Sequence, residues 1–310
     1  MTADIAALWD RGVYNPGFIV VKPTSMSKQV YKMMKLMTSS HKVTNHQVAL
    51  NKAIIYLKQN NRGLKVNILN QRRFFGGLDY FDRQRHWFAS EDGRKCHHAD
   101  QRDCAVMVHG SWIISKAAKL YRFREMLMWM YDGTDQYYTS NTRLYLTYTN
   151  PVQRERQQEI FTLKTAMTIG YILNRTVIFP RFHTASQTDE CPLYCILHVY
   201  TFDKYFAGHY RESTFLYHPK VPHDVKSGLS EQLTVVHTKN TSAPHGDDTV
   251  SHVDIVRQFG DLKDRVLVFV DLHNVHVDLG EDTNDSVLRN KLQRAFVGSK
   301  YKPDKRWAFQ

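Results

Sequence analysis

An α/β fold in two domains is predicted by three observations. Short apolar runs rich in β-branched and aromatic residues recur along the chain: FIVVK (18–22), residues 105–109, RLYLTYT (143–149), RTVIFPRF (175–182) and RVLVFVDLH (265–273). Between them, apolar residues return at helical spacing. At 310 residues and 42% hydrophobic composition, the chain also exceeds one domain of roughly 100–200 residues.

Taken in order, FIVVK reads as a short buried strand, and Val30, Met33, Met34 and Met37 then mark one face of a helix, a methionine stripe suited to core packing. HQVALNKAIIYLK (46–58) reads as a second helix, and FFGGLDYF (74–81) as a turn that brings aromatics toward a cleft. Residues 105–109 form a strand that ends at His109-Gly110. A helix over about 115–131 follows, with Leu120, Phe123, Leu127 and Met130 inward and Lys116, Lys119 and Arg122 along one side. That strand end and basic helix suit a metal and a diphosphate; an ordinary histidine followed by solvated lysines has the same residue types.

The polar segment DGTDQYYTSN (132–141) sets the boundary, giving domains 1–138 and 139–310. In the second, a strand over 143–149, a helix over 154–173 with Ile160, Leu163, Met167 and Tyr171 on one face, and the strand RTVIFPRF make a βαβ unit of a parallel, Rossmann-like sheet. TNPVQRERQ stands where a glycine-rich phosphate cradle would be, so this domain reads as structural or acceptor-facing. Asp271, His273 and His276 follow a buried strand and read as a loop or as ligands at its exit; Asp247-Asp248 after His245 reads as a solvated turn.

A net charge of +12 and a pI near 9.4 favour anionic partners: a nucleotide diphosphate, nucleic acid or an acidic membrane. The basic residues form no contiguous block and no RNA-binding aromatic motif is present, which makes nucleic acid the weaker reading. No stretch of 18 apolar residues occurs. Cys96, Cys104, Cys191 and Cys195 form two local pairs, consistent with disulfides or thiols; CHHADQRDC lacks the second half of a zinc signature. Sequons begin at Asn174, Asn240 and Asn284.

Three segments in order, YNPGFIVVKPT (14–24), HQVALNKAI (46–54) and HGSWIISKAAKLYRFREMLMW (109–129), resemble the later part of the nucleotide-diphospho-sugar transferase family, in the branch with arabinosyl- and xylosyltransferases. The matching positions are Asn15, Gly17 and Lys22; Gln47, Leu50 and Asn51; and His109, Trp112, Lys119, Arg122, Glu125, Leu127 and Trp129. Departures fall at His46, where the family usually has Asp, and at Gly110-Ser111, where two asparagines are common.

The resemblance implies the C-terminal part of a GT-A-like mixed sheet in the first domain. It implies transfer of a sugar from a nucleotide-sugar donor to a hydroxyl of a glycan or glycoprotein acceptor. Gln47 would lie under the sugar, Asn15 and Gly17 would shape its pocket, Lys116 and Lys119 would hold the phosphates, and His109 would bind Mn²⁺ or Mg²⁺. Such enzymes carry an Asp-x-Asp motif before the Asn-x-Gly strand, whereas Asp4 and Asp10 here stand apart. The expectation is therefore an upstream donor half, or a non-catalytic carbohydrate-binding or scaffold remnant. A Golgi-lumenal home also follows from the resemblance.

Overall fold

The computed structural model describes residues 3–40, 43–60, 63–71, 73–77, 79–83, 105–134, 136–150, 155–183, 190–236, 249–281 and 283–297. The chain forms two compact units, Met1–Ile113 and Ile114–Gln310. Both are α/β.

The first unit begins with β1 (Ile5–Asp10), which turns through Arg11 and Gly12, both at positive φ (51° and 89°), into antiparallel β2 (Val13–Val21). Positive φ at both turn residues matches the right-handed twist of the strands they join. Two helices follow, α1 (Ser25–Ser39) and α2 (His46–Asn60), and β3 (Val66–Ile68) then pairs parallel to β1. The sheet is mixed, in order β2-β1-β3. Ile5 and Ala7 of β1 pack with Val30 of α1 and Leu50, Ala53, Ile54 and Leu57 of α2, while Met33 and Met34 close the edge of that core as the helical spacing required.

The central strand of this sheet is IAALWD, a segment that pattern reading leaves out. FIVVK, expected to be a short buried strand, is instead the end of the half-buried edge strand β2. Asp4 is not idle either. Its carboxylate accepts from Thr24 Oγ1 (2.6 Å) and from the Lys65 amide (2.8 Å), joining the start of β1 to the α1 cap and to β3, and these bonds hold its pKa low. Thr24 and Ser27 complete the cap as a reciprocal box.

A two-stranded parallel pair, β4 (Phe74–Gly76) and β5 (Met107–His109), completes the described part of this unit, with a π-helical turn at Asp79–Arg83 after β4. Cys96 and Cys104 lie outside the described residues.

In the second unit, α3 (Lys116–Glu125) precedes β6 (Tyr145–Tyr148), α4 (Arg156–Ile172) and β7 (Thr176–Ile178). Strands β6 and β7 are parallel neighbours, the expected βαβ unit. A short pair, β8 (Phe182–His183) and β9 (Glu190–Cys191), leads to α5 (Val199–Phe206) and β10 (Tyr210–Arg211). Then come α6 (His223–Ser227), β11 (Leu229–Leu233), β12 (Thr249–Ser251), α7 (His252–Phe259), β13 (Val266–Phe269), β14 (His276–Asp278) and α8 (Thr283–Val297). The main sheet is wholly parallel, in order β10-β7-β6-β13-β11. Such a sheet has both faces covered, and β7 is accordingly buried at every position.

The helix expected over 115–131 stops at Glu125, and Leu127 follows with φ 54°. Its buried face is Ala118, Tyr121, Arg122 and Glu125, not Leu120, Phe123, Leu127 and Met130. Helix α3 packs on α5, which places it in the second unit although the sequence boundary stood at 138. Asp271 has a left-handed backbone (φ 57°) just after β13, and His276 opens β14 with an exposed side chain. His245, Asp247 and Asp248 lie outside the described residues.

Candidate functional site

Three strands of the first unit end together. The β1–β2 ladder pairs Leu8 with Asn15 but Ala7 with Ile19, so Pro16, Gly17 and Phe18 are looped out of β2. A bulge of this kind re-aims the chain beside a strand end. Here it carries Gly17 against the imidazole that terminates β5: a Cβ on Gly17 would lie 2.3 Å from His109 Nε2 and 2.4 Å from Cε1. His109 pairs in register with Gly76 at the end of β4, and a Cβ on Gly76 would lie 3.4 Å from the Asp10 carboxyl. The carboxyl ends of β1, β4 and β5 thus converge on the Asn15–Phe18 loop, the edge at which α/β sheets gather ligands.

Asp10 is the hub. It is 1% exposed; its Oδ2 accepts from Asn15 Nδ2 (3.0 Å) and its Oδ1 from Trp112 Nε1 (2.8 Å). Asn15 Oδ1 in turn accepts the Gly17 amide at 2.8 Å, which sets the loop. Buried polar groups satisfied in this way fix one geometry, because any rearrangement leaves a donor or acceptor unpaired. After His109, the Gly77 amide donates to Ser111 Oγ (3.1 Å), and Trp112 adopts φ 64°. A bulky residue at positive φ is a strained conformation of the sort found at ligand sites. Trp112 is 41% exposed, and the Arg11 guanidinium lies 5.4 Å from the centre of its ring.

Helix α2 is tied to the same loop. Asn51 Nδ2 donates to the Tyr14 carbonyl (2.7 Å), and its Oδ1 accepts the Tyr14 amide (2.9 Å), immediately before Asn15. Gln47 stands one turn earlier on the same side of α2, half-buried, with its carbonyl accepting from Asn51 Nδ2 at 2.8 Å.

The structure therefore brings Asn15, Gly17 and His109 together and sets Gln47 on the helix that meets them. Lys116 and Lys119 lie on α3 of the second unit, Lys116 exposed and Lys119 half-buried. Arg122 is not aligned with them toward an anion: it is buried, its guanidinium 4.1 Å from the Tyr194 ring centre. Asp10, Ser111 and Arg11 were not singled out as site residues from the sequence. The available signal for Asp10 was its position immediately before an Arg-Gly hairpin turn.

The fit of a divalent cation depends on oxygen-rich donors. Among the described residues no group of three His, Cys, Asp or Glu side chains converges, and the Asp10 carboxylate beside His109 is engaged on both oxygens. The described residues alone do not make up such a donor set.

In the second unit, buried carboxylates gather beyond β10. Glu125 accepts from the Ser213 hydroxyl and from its amide (3.1 Å), with Arg181 at 3.9 Å. Burial pushes its pKa up to about 7, against the pull of these partners. Glu212 is fully buried, accepts from Tyr137 Oη (2.6 Å), and is likewise raised by burial. His183, at the end of β8, meets Glu159 in the first turns of α4 at 2.5 Å.

Residues 3–123 match the family model of the nucleotide-diphospho-sugar transferases. The match contains all of the strand-end residues above and reaches into α3 as far as Phe123, so Lys116 and Lys119 fall within it. No curated protein and no solved structure matches the chain.

Proposed function

We propose that the first unit binds a nucleotide-sugar donor at the edge built by Asp10, Asn15, Gly17, His109 and Trp112, and that the sugar passes from it to a hydroxyl of a glycan or glycoprotein acceptor. The family match supports a glycosyltransferase-like function in general. The observation that carries the specific site is the convergence of Asn15, Gly17 and His109 through the three-residue bulge of β2.

Each group has a task that follows from its surroundings. Asp10 and Asn15 are positioning residues, since their polar atoms hold each other, Gly17 and Trp112. The half-exposed Trp112 ring offers an apolar face for a sugar or base, and Arg11 beside it offers charge for a diphosphate. His109 is the reactive-capable side chain at the strand end; an imidazole there donates to the diphosphate oxygen on which negative charge grows as its bond to the sugar breaks. Gln47 beneath the sugar completes the reading of the first unit, a role taken from the resemblance of its segment to the family.

Titration of the full chain with nucleoside diphosphates and their sugar conjugates tests the proposal. Saturable binding that His109→Ala and Trp112→Ala each weaken about tenfold or more, together with donor turnover, is the expected result. Glycan binding with no affinity for any nucleotide would overturn it in favour of a carbohydrate-binding module.

A further inference from the structure

The charge of this chain is concentrated in one segment. From Arg11 to Leu78 the sequence has 12 Lys and Arg and no Asp or Glu, while the remainder carries 30 of each sign, so the entire net charge of +12 resides there. Helices α1 and α2 carry five of its exposed lysines, Lys28, Lys32, Lys35, Lys52 and Lys58. They pack on each other and cover the sheet with Val30, Leu50, Ala53, Ile54 and Leu57, which leaves their other faces to solvent.

Those faces are not ordinary solvated surfaces. On α1, Lys28, Lys32 and Lys35 are exposed one turn apart, flanked by Tyr31 and Leu36; on α2, Lys52 is exposed among Val48, Ile55 and Tyr56. The five apolar side chains are between 42% and 61% exposed. A solvated helix usually offsets its lysines with acidic residues at i+3 or i+4, and neither helix contains one.

We propose that this paired-helix face docks the protein on an anionic bilayer surface, with the lysines at the head groups and Tyr31, Leu36, Val48, Ile55 and Tyr56 entering the interfacial layer. Basic residues interleaved with exposed aliphatic and tyrosine side chains are the pattern of helices that lie in a membrane interface. Nucleic acid would use the lysines but gives Leu36 and Ile55 nothing to enter, since phosphate contacts come from basic and polar groups. No helix among the described residues is long and apolar enough to cross a membrane.

The test uses the full chain and sedimentation with large vesicles of phosphatidylcholine alone or with one-third phosphatidylserine. Partitioning at least tenfold stronger to the anionic vesicles is expected, weakening with salt. The variant Lys28→Ala/Lys32→Ala/Lys35→Ala/Lys52→Ala should lose roughly fivefold for each lysine removed. Leu36→Ser/Ile55→Ser should also weaken partitioning while circular dichroism and melting stay as in the parent. Three results would each overturn the proposal: equal or absent partitioning to both vesicle types, either variant binding as well as the parent, or capture of nucleic acid by this face with the vesicles ignored.

Discussion

Replacing Gly17 by alanine tests the site with one methyl group. The new Cβ would lie 2.3, 2.4 and 2.6 Å from Nε2, Cε1 and Cδ2 of His109, whereas ordinary contact begins at 3.4 Å. The imidazole must therefore retreat by about 1 Å, which rotation of a half-exposed ring allows. Overpacking of this kind costs about 1–3 kcal/mol, and the low end applies because the obstacle is a side-chain tip. Gly17 lies outside the left-handed region, so alanine also narrows the unfolded ensemble and returns about 0.4–1 kcal/mol. Net stability should change by less than ~1 kcal/mol. Function should not be spared: a reacting group misplaced by about 1 Å lowers turnover on the order of 100-fold. Gly12→Ala is the control, with φ +89° but no atom within 4 Å, so it should lower stability by about 1 kcal/mol and leave donor binding alone. Melting curves and donor titrations of both variants decide the matter. A Gly17→Ala protein that binds and turns over donor within twofold of the parent would refute the placement of His109 at the reacting centre.

Further consequences follow from the hydrogen bonds. Asp10→Asn sets an amide donor against either Trp112 Nε1 or Asn15 Nδ2, so urea denaturation should show a loss of about 1–3 kcal/mol; no loss would mean that the pair bonds are dispensable. Asn51→Ala removes both bonds to the Tyr14 backbone and should cost about 1–3 kcal/mol in the same assay, with faster amide exchange at Tyr14; unchanged exchange would count against the tie between α2 and β2. Glu125 predicts a pH dependence. With a folded pKa near 7 against the ordinary glutamate value of 4.5, the folded state keeps a proton that the unfolded state releases between those values. This stabilising contribution is full below pH 4.5 and is lost as pH rises to 7, by up to ~3 kcal/mol. The Glu125→Gln variant should thus lack that decline, and parallel stability profiles of the two proteins across the window would contradict it.

The sequence made some of this legible and hid the rest for physical reasons. Val30, Met33 and Met34 announced α1 because an amphipathic helix must repeat its apolar residues. The pairing of β6 with β7 was readable because a helix joins two short runs rich in β-branched and aromatic residues. The strand Ile5–Asp10 escaped because a central strand buried on both faces shows no alternation and six residues are few. Helix α3 misled because it buries Arg122 and Glu125, charges that hydropathy assigns to the surface. Asn15 and Gly17 were found by likeness to a family, and His109 also by its place at a strand end before a basic helix. The bulge that makes them neighbours is a matter of register, which no local pattern encodes.

That bulge also separates two kinds of variation. Asn15 and Ile19 are held in the ladder on either side, while Pro16, Gly17 and Phe18 contribute no rungs to it. Gly17 can therefore change without altering the pairing that builds the core, and a side chain there is felt first at the imidazole of His109, whereas Phe18 stacks on Phe74 of β4. Selection acting on Gly17 would retune what the site accepts while the pairing of the sheet stays as it is.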